Sequence, residues 1–282
     1  MSARLRIVHT TGFTYTAPVT SSFNEARITP RSDARQSVIV DHVDTSPGAR
    51  QFRYTDYWGT AVTVFDLHSP HDRLEVVGTA VVETEDEARA AETTAVDWVQ
   101  LRHGSVVDEY DEMLRPTVYT PHTPELADFA RSAAHGLKPA AAAETVVARV
   151  HDAMTYERGT TEVHSTAADA WHHRKGVCQD YAHITLAMLR SLGIPSRYVS
   201  GYLHPLDNAD IGEAVEGESH AWIEVWTGGW WGIDPTNNKF IDDHHVSVGT
   251  GRDYADLTPI KGIYTGSGQS ALDVAVRITR LA

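Results

Sequence analysis

The 282-residue chain contains a single cysteine, Cys178, at a position that favours reactivity. Helical spacing of apolar residues predicts a helix from Cys178 to Leu192, so the thiol lies at a helix N-terminus. The partial positive charge there favours the thiolate, which is the nucleophilic form of cysteine, and the free N–H groups can stabilise an oxyanion. Gly176 would let a substrate backbone approach closely. Taken alone, Cys178 is better explained as a buried, unreactive residue at a helix start.

A predicted hairpin carries a histidine and an aspartate that could serve the thiol. His220 opens the strand 220–226, and Asp234 closes the strand 230–234. A three-residue loop of residues 226–228 would place His220 directly opposite Asp234, with Cβ atoms about 5 Å apart. A two-residue loop would instead put them on opposite sheet faces. The match of apolar positions favours the three-residue loop, which also pairs Ile223 with Trp231 and Ala221 with Ile233.

A cysteine, a histidine and an aspartate in this geometry form a catalytic triad. His220 would take the thiol proton and return it to the leaving group, while Asp234 would orient the imidazole. Each residue also has an ordinary explanation, as a polar strand-edge residue for His220 and as a turn former before Pro235 for Asp234. The three residues together therefore carry the catalytic hypothesis.

Longer segments around these residues resemble the transglutaminase-like proteins, with the cysteine, histidine and aspartate segments in the family's order. The matching segments are Gly176–His183 with Leu189–Tyr202, then Ser219–Val225, then Trp231–Asn237. Residues 15–31 and 251–259 resemble the amino-terminal β-domain and the carboxy-terminal segment of the bacterial branch. The resemblance implies a papain-like α+β core in which Cys178, His220 and Asp234 are nucleophile, base and orienting acid.

The surrounding pattern agrees with an α+β fold. Short runs rich in Val, Thr and aromatic residues, separated by turn residues, predict a small all-β sandwich or barrel over residues 1–85. A connecting segment follows at 86–120. Residues 121–282 are then predicted as the transglutaminase-like core, with helices packed on an antiparallel sheet and further strands at the carboxy terminus.

Several other residues are candidates for supporting roles. Trp171 and Gln179 are weak candidates for a second oxyanion donor, and Trp171 equally fits the core of its helix. Asp180 is expected to cap the helix that Cys178 begins. Tyr254 and Asp253 are expected at the cleft, and Trp230 shares the predicted face of His220.

Composition excludes several classes of function. A net charge of −14 argues against nucleic acid or an anionic membrane as partner. One cysteine excludes an intrachain disulfide and a multi-cysteine metal site. We expect no cofactor, no metal and no calcium dependence, because EF-hand spacing is missing and the adjacent histidine pairs 172–173 and 244–245 point apart. Without an apolar leader or membrane segment, the expected location is cytoplasmic.

The expected reaction is thiol-dependent acyl transfer on a peptide, a protein or a small amide. Hydrolysis of an amide bond through a thioester is the favoured prediction, and a protein-glutamine transglutaminase that uses an amine acceptor is the alternative. The two reactions share every step up to the thioester, so the triad does not separate them. A non-catalytic binding scaffold is the third hypothesis.

Overall fold

A computed structural model describes residues 2–85, 96–205 and 210–282. Strands fill most of the amino-terminal region, and alternating burial along them reflects the two faces of each strand. They are β1 (Ser2–Val19), β2 (Ser21–Ala26), β3 (Gln36–Ser46), β4 (Gln51–Thr55), β5 (Ala61–Leu67) and β6 (His71–Glu85).

Helices follow the amino-terminal strands. The core helices are α4 (Pro124–Ala134), α5 (Pro139–Ala153), α6 (Ala167–His173) and α7 (Cys178–Ser191). In the predicted connecting segment, residues 86–95 lie outside the described residues. The rest of it holds the short helices α1 (Trp98–Leu101), α2 (Gly104–Glu109) and α3 (Asp111–Leu114). No helix in the described ranges is long and apolar enough to cross a membrane.

The remaining strands surround and follow these helices. They are β7 (Thr155–Tyr156), β8 (Lys175–Gly176), β9 (Ser196–Leu203), β10 (Ala214–Trp226), β11 (Trp230–Asp234), β12 (Lys239–Phe240), β13 (His245–Gly251), β14 (Ile260–Thr265) and β15 (Ser270–Arg280). A 3₁₀ turn, Tyr254–Asp256, lies between β13 and β14.

Two sheets account for the amino-terminal β-region. The larger sheet runs in the order β12-β11-β10-β15-β1-β6-β3. Off this path, β9 pairs with β10, and β13 pairs with β9. The smaller runs β14-β2-β5-β4. Apolar side chains such as Val19, Phe65 and Leu74 fill a core formed by strands of both sheets, which is the arrangement of a sandwich.

The second core lies between the helices and the carboxy-terminal part of the larger sheet. The helix α7 is buried over most of its length, from Asp180 to Arg190, and packs against β10 and the helices α4, α5 and α6. The predicted apolar face of α7 belongs to this core, with Ala182, Leu186 and Leu189 buried in it. Helices packed on an antiparallel sheet, preceded by a β-sandwich, confirm the predicted α+β fold class.

The strand β10 joins the two parts of the molecule. Its first residues, Ala214–Gly217, pair with β15, and the following residues, Glu218–Val225, pair with β9. Because β15 also pairs with β1 along most of its length, the sheet is continuous from the amino-terminal strands to the hairpin that carries His220 and Asp234.

The predicted register of that hairpin is wrong by two residues. The loop is Thr227–Gly229, and Ile223 pairs with Ile233 instead of Trp231. Gly228 has a positive φ of 119°, and the indole Nε1 of Trp231 donates a 2.9 Å hydrogen bond to the Thr227 hydroxyl. This loop places Asp234 opposite Trp222, so His220 and Asp234 are diagonal neighbours. A two-residue shift keeps both side chains on the same face.

Candidate active site

The start of α7 is organised by Asp180. Its Oδ2 accepts a 2.8 Å hydrogen bond from the backbone N–H of Val177 and a 2.7 Å bond from the hydroxyl of Thr161. Burial raises the pKa of this carboxyl, and the two hydrogen bonds oppose that rise. The predicted capping role of Asp180 is therefore confirmed, and it fixes the backbone directly before Cys178.

Packing around Asp180 requires a glycine at position 176. A Cβ at this position would lie 2.4 Å from Oδ2 of Asp180, so the glycine makes room for the capping carboxylate. The expectation that Gly176 also serves the approach of a substrate backbone stays a prediction.

Replacing Gly176 with alanine is expected to destabilise the fold by about 1–3 kcal/mol, because the methyl group overlaps a buried carboxylate that cannot move freely. Urea unfolding measures this loss. Gly104→Ala is the matched control, since an added Cβ there meets no atom within 4 Å. Equal stability of the two variants would contradict the packing argument.

The predicted partners His220 and Asp234 are in contact. Nε2 of His220 lies 2.8 Å from Oδ2 of Asp234, and the two side chains are 9% and 0% exposed. Burial lowers the pKa of His220, but hydrogen bonds with Asp234 and Cys178 outweigh it and raise this pKa to about 10. The carboxylate and the sulfur therefore both favour the protonated form of the imidazole, as a base that takes the thiol proton requires.

Further donors hold the Asp234 carboxylate. Oδ1 accepts backbone N–H bonds from Thr236 (2.9 Å) and Asn237 (3.2 Å), and Oδ2 accepts a 2.6 Å bond from the Asn237 side chain. Burial raises the Asp234 pKa, but the bonds with His220 and His245 outweigh burial and hold it well below its usual range. Asp234 therefore stays an anion, as an orienting acid requires.

Aromatic rings enclose this ion pair. The indole of Trp222 stacks near His220, with centroids 6.1 Å apart, and meets the ring of His245 edge-on at 5.3 Å. Trp222 is fully buried beside both histidines. Exclusion of water by this ring strengthens the electrostatic interaction between His220 and Asp234.

The two candidates for a second oxyanion donor have structural contacts. Trp171 is buried in the helical core, edge-on to Phe129 and covered by the guanidinium of Arg174 at 3.3 Å from its ring centroid. The side-chain amide of Gln179 donates a 3.1 Å bond to the carbonyl of Val163. Trp171 thus fits its alternative interpretation as a core residue, and the second donor stays a prediction.

The other predicted residues have largely structural surroundings. Asp253 caps the 3₁₀ turn by accepting a 2.8 Å bond from Ala255 N–H, and Tyr254 donates its backbone N–H to Nε2 of His183 at 3.2 Å. Trp230 lies under the guanidinium of Arg197, 4.2 Å from the ring centroid. These contacts describe packing around the helical core and give no direct link to Cys178.

Three residues of the site escaped the sequence prediction. Asn237 and Thr236 follow Asp234 at the spacing of an Asx turn, and this local signal could have revealed them. His245 lies beyond β12 and a further turn, and no local pattern relates it to Asp234. Trp222 lies two residues after His220 on β10, and the alternation of side chains along the strand places both on one face.

One group of side chains has a spacing that would also suit a metal ion. Within the described ranges, donor atoms of His220, Asp234 and His245 lie within 4.8 Å of one another. The hydrogen bond between His220 and Asp234 accounts for part of this clustering without a metal. His244 turns away from this group towards His204, with ring centroids 5.6 Å apart, as predicted for that pair. The same prediction is wrong for His172 and His173, whose rings meet edge-on with centroids 5.2 Å apart.

Helices packed on an antiparallel sheet, with a cysteine at a helix start facing a His–Asp pair, define the papain-like class of thiol proteins. Residues 127–235 match the transglutaminase-like superfamily, and residues 5–83 match the bacterial transglutaminase-like N-terminal region. The chain belongs to the transglutaminase-like superfamily and carries the amino-terminal region of its bacterial branch. This membership supports cysteine-dependent acyl transfer as the general class of chemistry.

Individual relatives agree with this membership. An uncharacterized protein from Mycobacterium leprae is 51% identical over 279 residues, 99% of each chain. Protein-glutamine gamma-glutamyltransferase from Pseudomonas aeruginosa is 31% identical over 153 residues, which are 49% of this chain and 22% of that enzyme. The solved structure of a "putative cysteine protease" from Cytophaga hutchinsonii superposes with a TM-score of 0.77 at 20% identity, over 100% of this chain and 92% of the other.

Proposed function

We propose that the protein is a thiol-dependent hydrolase of amide bonds, acting on a peptide, an isopeptide or a small amide through a Cys178–His220–Asp234 triad. The observation that carries the proposal is the hydrogen-bonded set in which a buried Asp234 holds His220 towards Cys178. Membership in the transglutaminase-like superfamily supports it.

The proposed reaction begins with attack of the Cys178 sulfur on the carbonyl carbon of the amide, with the thiol proton on His220. The carbonyl oxygen becomes an oxyanion, which the backbone N–H of Cys178 at the start of α7 can stabilise. The C–N bond then breaks, His220 protonates the leaving amine, and a thioester remains. Water, deprotonated by His220, attacks the thioester, which releases the acid and restores the thiol.

Access of water to Cys178 favours hydrolysis over transfer. Cys178 is only partly buried, so the candidate site is not closed to solvent, and an open site favours water over an amine as the second reactant. The second candidate, transfer to an amine with formation of an isopeptide bond, is favoured by the 31% identity to the Pseudomonas aeruginosa glutamyltransferase over half of the chain. Both reactions use the same thioester.

Product analysis with an N-acetylated glutaminyl-glycine peptide, with and without a primary alkylamine, separates the two reactions. A peptide with an isopeptide-linked side chain is tested in parallel. We expect the free acid as the main product in both the absence and the presence of the amine, because water reaches the thioester. Amine adducts as the main product would support the transferase and overturn hydrolysis. Absence of thiol-dependent products from both peptides would contradict the choice of these amides as substrates.

A further inference from the structure

His245 is a buried histidine that the proposed reaction does not use. It is the first residue of β13, is fully buried, and lies between two carboxylates. Its Nδ1 is 2.7 Å from Oδ1 of Asp242, and its Nε2 is 3.5 Å from Oδ2 of Asp234. A buried imidazole is costly unless its nitrogens have partners, so this placement calls for an explanation.

The sheet alone does not explain the choice of histidine. The backbone of β13 pairs with β9, and His245 stands opposite Leu203, a register that any residue could adopt. The following buried residues Val246 and Val248 are apolar. The two carboxylates that the imidazole faces therefore explain why this position holds a histidine. A carboxylate oxygen only accepts hydrogen bonds, so Nε2 needs a proton to face Asp234 favourably.

Asp242 holds His245 in turn. Its carboxylate accepts a 3.1 Å bond from the backbone N–H of His244 and a 3.0 Å bond from the ammonium of Lys239. Burial raises the pKa of Asp242, but the bond with His245 outweighs it and the pKa is held below its usual range.

The amino-terminal strands anchor this segment. Arg35 donates a 3.0 Å bond to the carbonyl of Asp242, and the hydroxyl of Thr84 bonds the carbonyl of Asp243. The side chain of Gln36 both donates to the carbonyl of Ser247, at 2.8 Å, and accepts from its N–H, at 2.7 Å. The β-region is thus linked through residues 242–247 to the carboxylate of the triad.

We propose that His245 is a positioning residue of the active site: it donates from Nε2 to Asp234 and, held by Asp242, keeps Oδ2 of Asp234 aimed at His220. The inference rests on the proposed function, because it assigns His245 to the same reaction. It also gives the amino-terminal region a role in supporting the triad.

Groups from several neighbouring elements face His245. Asp234 lies on β11, His220 lies on β10 with its ring centroid 6.2 Å away, and Asp242 precedes β13 with Lys239 behind it. Trp222 covers the edge between the two histidines. A lost donor at position 245 therefore acts on His220 through Asp234, with no direct contact with a substrate.

Two substitutions test the contributions of the two ring nitrogens of His245 separately. The side-chain amide of glutamine reaches the position of Nε2, and that of asparagine reaches only the position of Nδ1. His245→Gln should therefore retain the bond to Asp234, and His245→Asn should lose it. The exposed His172→Gln is the matched control. The readouts are the Nε2–H signal of His220 in [15N]histidine-labelled protein, identified by its loss in His220→Gln, and the rate of Cys178 alkylation by iodoacetamide.

We expect His245→Asn to lose the Nε2–H signal of His220, because this proton then exchanges with solvent. Alkylation of Cys178 should slow roughly tenfold, the lower end of the range of losses when a partner that orients a functional histidine is removed. His245→Gln and His172→Gln should keep both readouts near wild type. Asp242→Ala is the second variant should His245→Asn fail to fold, and it should lose the same signal. Wild-type behaviour of the folded variant, His245→Asn or Asp242→Ala, would overturn the positioning role. Because the signal needs no turnover, this result is independent of whether any amide is hydrolysed.

Discussion

Replacing Cys178 with alanine is expected to abolish turnover of every amide substrate, with kcat reduced on the order of 10⁶-fold, the size seen when a triad nucleophile is removed. In the proposed reaction the sulfur of Cys178 bonds the acyl group, and the chain has no second cysteine to replace it. His220 and Asp234 would remain hydrogen-bonded but would have no nucleophile to activate. Release of free acid, or incorporation of an amine if transfer occurs, measures the loss.

Cys178→Ser is the companion variant, because it keeps the size of the side chain and exchanges only the sulfur. A hydroxyl is a far weaker nucleophile beside an imidazole arranged for a thiol, so we expect this variant to be inactive as well. Thermal unfolding of both variants should match the wild-type protein closely, since Cys178 is a partly exposed residue. Undiminished turnover by either variant would remove Cys178 from the mechanism.

Replacing Asp234 with asparagine is expected to lower kcat roughly 10⁴-fold, the loss measured when the aspartate of a serine triad is changed in the same way. The carboxylate accepts from Nε2 of His220, whereas an amide nitrogen in that position would donate and would favour the wrong tautomer. The raised pKa of His220, to about 10, depends on this carboxylate and on Cys178, so it should fall in the variant. Turnover and the [15N]histidine titration of His220 measure the two effects.

Asn237→Ala is the control for this substitution. It removes one 2.6 Å donor to Oδ2 of Asp234 and leaves the carboxylate and its contact with His220 in place. We expect a far smaller loss of kcat, of roughly tenfold. If Asp234→Asn and Asn237→Ala had equal effects, the carboxylate would be a structural residue and the triad would reduce to Cys178 and His220.

Much of the fold could be predicted because its signals are local. Pro139 begins α5 as a proline at the first helical position should, and Gly193 follows the end of α7. Cys178 begins α7 as expected. The long pairing of β1 with β15 could not be predicted, since it joins the two ends of the chain and no local pattern encodes such a distant partner.

The candidate site likewise has features that local sequence patterns predict and features that they do not. His220 and Asp234 could be placed on one face from the alternation along two strands joined by a short loop. Their register could not be fixed, because two three-residue loops differing by two residues of pairing give the same faces and comparable apolar matches. The loop Thr227–Gly229 is selected by contacts such as the bond between Trp231 and Thr227, which form only in the folded hairpin.

Other features depend on tertiary packing. Gly176 is required by the carboxylate of Asp180, a contact that exists only once α7 has formed. His245 lies 3.5 Å from Asp234 although β13 pairs with β9 and β11 pairs with β10, so this contact depends on the tertiary fold and not on spacing in the sequence. Such residues become visible only when the whole sheet is known.

The most direct test of the central claim is mass spectrometry of the intact protein after rapid acid quenching during turnover of the glutaminyl-glycine peptide. Cys178 as the nucleophile predicts a protein species heavier by the peptide mass less ammonia. The adduct should lie on the proteolytic fragment that contains Cys178, should be released by hydroxylamine as a thioester is, and should be absent from Cys178→Ala. Turnover with the adduct on another residue, or an adduct of the same mass in Cys178→Ala, would contradict the account.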